Sequence, residues 1–151
     1  MFKRLAVLVV FLAALSLVLV ACGDETASVP AYSGATAVTL SDSVKSKMSD
    51  SLAQIKNPTV EGFKTTDDVN KIKSTYDSNF KSAGWDDKSS EFGSEASIKQ
   101  LTDLGLVVLG YQKGNKAAIV MAFPNTYAGA LGFSGLGTNE NAILVISGNQ
   151  A

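Results

Sequence analysis

The chain has 151 residues, with fourteen acidic and thirteen basic side chains, one cysteine, one tryptophan and no histidine. The missing histidine excludes Ser-His-Asp and Cys-His catalysis, histidine-ligated zinc and an imidazole proton shuttle. Arg4 is the only arginine and no basic patch is evident, so nucleic acid is not an expected partner; the lysines are scattered in sequence, so attraction to anionic lipid headgroups is not expected either.

Lys3 and Arg4 form a short positive start. Leu5 to Leu19 follow as an apolar run broken only by Ser16, and Leu19-Val20-Ala21-Cys22 closes it with a small residue before the cysteine. A charged start, an apolar middle and a small-residue cleavage site read as a signal peptide. With cysteine at the cut, the segment resembles the lipobox family of bacterial lipoprotein signals. That resemblance implies cleavage between Ala21 and Cys22, diacylglycerol on the Cys22 sulfur, and often a further acyl chain such as palmitate on the new amino terminus. Acyl burial contributes about 0.8 kcal/mol per methylene, so one chain binds marginally and two or three hold stably. An uncleaved helix is the alternative, since the run is close to the roughly 17-residue minimum for a membrane span. Either reading puts the protein on a membrane.

Cys22 is also the only thiol, so no disulfide forms within the chain, and the exported part must stand on its core. A chain of that size buries roughly two-thirds of its unfolded surface. Without Lys3 and Arg4, eleven lysines face fourteen acids, a charge of about −3.

The expected organisation is a signal peptide over 1–21, a lipidated cysteine and tether over 22–29, and one domain over 30–151. Gly23 to Val29 is small, polar and acidic; fully extended, it reaches roughly 24 Å at about 3.4 Å per residue. Val29 to Ala35 is turn-bearing, and Thr36 to Leu40 reads as a short strand. Leu40, Val44, Met48, Leu52 and Ile55 make a helical stripe over Ser41–Lys56. Asn57-Pro58 should stop it, and Thr59–Lys64 then suits an edge strand. Asp67–Ala83 is the clearest helix, with Thr65 and Asp68 as a capping pair and Val69, Ile72, Tyr76, Phe80 and Ala83 on one face. Gly84 fits the left-handed stop, which would bring Trp85 against Phe80. Ser89–Ser94 reads as a strand and Glu95–Leu104 as a short helix or loop. Leu106–Gln112 and Lys116–Phe123 flank a Gly-Asn turn and signal a hairpin. Ala142–Ser147 is apolar on both faces. These last three runs should form the centre of the sheet, covered on one face by the Asp67–Ala83 helix. The expected class is α+β: a single domain with a mainly antiparallel sheet and one or two helices packed on one face.

Tyr32-Ser33-Gly34-Ala35, the Thr65–Trp85 helix ending in Gly84-Trp85 and the Leu109–Val120 hairpin resemble a poorly characterised group of small bacterial lipoproteins. Those open on Tyr-Pro-Gly-Ala; here Ser33 replaces the proline and Ser41–Lys56 looks inserted. The resemblance implies no catalytic residues.

Pro124–Asn141 is the least ordinary segment, with Gly129, Gly132, Gly135 and Gly137 interleaved with Tyr127, Leu131, Phe133 and Leu136. Long loops in small domains are usually functional or disordered. It can be a link folded back on the core, an adaptable apolar surface, or a phosphate cradle, although no lysine or helix follows the glycines. The working expectation is a contact surface on Tyr127, Leu131, Phe133 and Leu136. Asp67-Asp68 is explained by the helix start and Asp86-Asp87 lacks the ligand spacing of a calcium loop, so no metal is expected. No cofactor and no catalytic set is expected either. The functional expectation is a membrane-anchored extracytoplasmic lipoprotein in the bacterial envelope, serving as a noncatalytic binding or structural module. Its partners would be lipid through Cys22 and an envelope protein or small apolar ligand. The alternative is a small hydrolase or transferase using carboxylates or a Ser-Lys pair.

Overall fold

The last strand in chain order, β6 (Asn141–Gln150), lies inside the sheet, between β2 (Ile55–Thr65) and β5 (Lys116–Pro124). Around them the order is β1-β2-β6-β5-β4-β3, with β1 at Thr36–Val38, β4 at Val107–Lys113 and β3 at Asp86–Asp87. Every pairing is antiparallel. Among the described residues four helices complete an α+β domain: α1 (Asp42–Asp50), α2 (Val69–Ser82), α3 (Glu95–Asp103) and the single turn α4 (Asn125–Ala128). This computed structural model describes residues 28–150 except 51, 53, 54 and 93; the expected signal sequence, Cys22 and most of the expected tether lie outside the described residues.

Both faces of the sheet are apolar because successive strand residues point to opposite sides. On one side Leu109, Val120, Val145 and Ile143 meet Ile72, Tyr76 and Phe80 of α2. On the other, Ile119, Met121, Leu144 and Ile146 meet Leu40, Leu52, Leu131 and Phe133. This accounts for the unbroken apolar runs of β5 and β6, which have no solvent face.

α2 is set by local chemistry. The Asp68 side chain accepts from the Asn70 and Lys71 amides, so the cap is Asp68, while Thr65 Oγ1 accepts from the Asp67 amide. At the other end Gly84 takes φ +75°, and the Trp85 and Gly84 amides donate to the Phe80 and Lys81 carbonyls. This is the Schellman pattern the sequence predicted, and it closes Trp85 onto Phe80 edge to face at 5.2 Å. Trp85 is 5% exposed and fills the helix end.

Three expected elements differ. The helix predicted over Ser41–Lys56 ends at Asp50, and Ile55 instead begins β2. Leu40, Leu52 and Ile55 are nevertheless buried in one cluster, which is why a single apolar stripe runs through them. Asn57-Pro58 is a bulge within β2, with Asn57 at φ +51° and the register shifting between Lys56 and Thr59. A bulge is where a strand tolerates proline, which has no ladder donor. β2 is interior because β1 pairs along its far side. Ser89–Phe92 is a 3₁₀ turn and not a strand.

Candidate binding surfaces

The Pro124–Asn141 segment folds back on the sheet. α4 and a 3₁₀ turn (Gly129–Leu131) lead to Phe133, which forms a bridge with Leu40 and packs edge to face on Phe123 at 5.2 Å. Leu131 is 8% and Phe133 5% exposed, while Tyr127 and Leu136 are half-buried against the same cluster. The expected contact surface on Leu131 and Phe133 is therefore corrected: both are core. The physical reason is the second apolar sheet face, which α1 alone leaves uncovered, since α1 has no buried residue of its own. Polar contacts fix the segment's return. Asn125 Nδ2 donates to the Gly137 carbonyl at 2.8 Å, and Lys64 Nζ donates to the Gly135 carbonyl at 2.9 Å and to Glu140 Oε2 at 3.0 Å. Glu140 also accepts from the Gly137 amide; that bond, then Lys64, holds its carboxyl below the usual range.

The acidic pairs are similarly occupied. Asp67 accepts from Lys71 Nζ at 2.6 Å and from the Tyr32 hydroxyl at 2.8 Å, and both bonds lower its pKa. Burial, then the bond to Asp67, pushes Tyr32 up to about 12. Asp87 Oδ1 accepts from the Ser89 amide. Among the described residues no three acidic, histidine or cysteine side chains gather as metal ligands.

Two concavities among the described residues bear on binding, and neither is legible in the sequence. The first is an apolar groove of about 330 Å³ on the outer edge of β4, walled by Asn70 and Lys73 of α2 and by Ile98, Leu101 and Thr102 of α3. β3 pairs only with Tyr111 and Gln112, so on its outer side β4 has no strand partner from Val107 to Leu109. The Gly110 carbonyl accepts from the Lys88 amide and its own amide donates to Ser89 Oγ, so the Gly110 backbone faces outward. Two residues along, the Val108 backbone faces the same way, into the groove. The second is a polar recess of about 440 Å³ at the far end of the sheet, lined by Ser28, Val29, Thr59, Glu61, Lys116 and Asn149 among others. There Asn149 Oδ1 is buried with no hydrogen-bond partner among the described residues.

Comparison with known proteins yields no matching family model, no matching curated protein and no matching solved structure.

Proposed function

We propose that the chain is a membrane-anchored extracytoplasmic lipoprotein whose domain is a noncatalytic binding module of the bacterial envelope. One observation carries the anchor: the only cysteine closes Leu19-Val20-Ala21-Cys22 at the end of the apolar run. Seven residues later Val29 already packs against the α2-side core. The noncatalytic reading is supported by the work its displaced carboxylates do. Asp67 and Glu140 hold local structure through lysine, tyrosine and backbone partners. For binding, the β4 groove suits an extended apolar segment of an envelope protein, which would add to the Val108 edge as a strand and fill the groove with alternate side chains.

Intact mass of membrane-extracted protein tests the anchor: a diacylglyceryl adduct on Cys22, lost in Cys22→Ser, is expected, and an unmodified mass overturns it. Capture through a C-terminal tag from solubilised membranes tests binding. Val108→Pro removes an outward amide while leaving the β4–β5 ladder donors in place. It should abolish capture of the partner by a domain that still unfolds cooperatively, with some stability lost because Val108 packs against the core; undiminished capture overturns the groove as the site.

A further inference from the structure

Lysines scattered through the sequence converge at one end of the folded domain. Lys113 of β4 pairs with Lys116 of β5, Lys116 with Asn149 of β6, and Asn149 with Lys56 of β2. The three lysines and one asparagine thus form a single row across four adjacent strands, about 14 Å long at roughly 4.8 Å per strand. Register puts the row on the α2 side of the sheet, where Lys113 Nζ donates to the Ala83 carbonyl at 3.0 Å. Five lysines elsewhere are matched with acids: Lys64 with Glu140, Lys71 with Asp67, Lys73 with Asp77, Lys88 with Glu91, and Lys99 with Asp103. Among the described residues no ion pair joins Lys56, Lys113 or Lys116 to a carboxylate. Glu61 shares the recess with Lys116 and Asn149, on the same face of the sheet but off the register of the row. Glu61 lies further up β2 opposite Val145, and Asp86 and Asp87 lie beyond β4 opposite Gln112 and Tyr111.

The tether leaves from the same place. Ser28 and Val29 line the recess together with Lys116, Asn149 and Asn57. From Cys22 to Ser28 the chain spans at most roughly 20 Å, so this end is the one held nearest the lipid. Charges interact strongly only within a Debye length of about 8 Å at physiological salt, a separation the tether allows.

We infer that the Lys113–Lys116–Asn149–Lys56 row is a docking face for anionic phospholipid, on which the anchored domain rests with its β4 groove held clear of the membrane. The inference rests on the lipid-anchor reading. Each lysine brought to an anionic surface favours contact about fivefold. The contact is electrostatic, and raised salt weakens it.

The test uses the full mature protein purified with its lipid and reconstituted into phosphatidylcholine vesicles, with or without phosphatidylglycerol as a third of the lipid. Amine acylation rates are read lysine by lysine by mass spectrometry, with Lys71 and Lys99 as references at the other end of the domain. Lys56 and Lys116 should be acylated severalfold more slowly on the anionic vesicles, and high salt should remove the difference. Lys56→Glu with Lys116→Glu should restore the acylation of Lys113 to its rate on neutral vesicles. Equal rates on both vesicles, or slowing at Lys71 and Lys99 instead, overturn the docking face while the anchor stands. An intact mass without lipid overturns both, so the two failures are distinguishable.

Discussion

Phe80 and Tyr111 stack face to face, with ring centroids 3.8 Å apart and planes inclined by 6°, and this joins α2 to β4. The Tyr111 hydroxyl donates to Asp77 Oδ1 at 2.6 Å, so the same ring is held at its rim by a second residue of α2. Phe80→Ala should cost about 3–5 kcal/mol because it empties a fully buried site. Tyr111→Phe keeps the stack and loses one hydrogen bond to a carboxylate, about 1.5–3 kcal/mol. Urea unfolding of the two variants checks this order; the reverse order would mean that the hydroxyl, and not packing, dominates.

Gly84 and Gly132 share a left-handed backbone, at φ +75° and +79°, but not the same surroundings. A methyl added at Gly84 meets only Lys113 Nζ at 3.8 Å, so Gly84→Ala should cost the conformational term alone, about 1–2 kcal/mol. A methyl at Gly132 would lie 2.0 Å from Val44 Cγ2 of α1, so Gly132→Ala should be the more damaging change. Val44→Ala should recover part of that loss and none of the loss at Gly84. Urea midpoints of the single and double variants measure both.

Leu131→Ser and Phe133→Ser should each lower stability by several kcal/mol, as removal of buried apolar side chains does. Leu136→Ser, at a half-buried site, should cost less. Calorimetric melting would show the ranking, and unchanged melting in the first two would return them to the surface.

Acid should destabilise the domain through Asp67 and Glu140. Both carboxyls titrate below their usual values of 3.8 and 4.5 when folded. Their stabilisation is therefore present above those values and lost as pH falls through the lower folded pKa. Asp67→Asn with Glu140→Gln should flatten the acid limb of a stability–pH profile. At the alkaline end, Tyr32 titrates near 12 against a usual 10, so the stability it lends is full below pH 10 and lost between the two. Burial raises Tyr76 and Tyr111 further, and their phenolates should form only with unfolding, followed by tyrosinate absorbance.

What the sequence disclosed was local. Gly84-Trp85, the Lys113–Lys116 turn and the Asp68 cap involve residues within a few positions of one another, and each could be read from its own chemistry. β2 was misplaced because its neighbours come from both sides in the chain: β1 precedes it, and β6 is the last strand. Leu131 and Phe133 looked like surface because nothing nearby in sequence shows that the second face of the sheet lacks a long helix. The lysine row and the β4 groove were invisible for the same reason, since strand register and helix placement assemble them from distant segments.

The position of β6 also bears on how the chain is made. Until its residues arrive, β1–β2 and β5–β4–β3 share no hydrogen-bonded ladder, so the sheet cannot close before its last strand is made. Truncation before Asn141 should leave no folded core. The two halves of the sheet are therefore joined only when the last strand inserts between them.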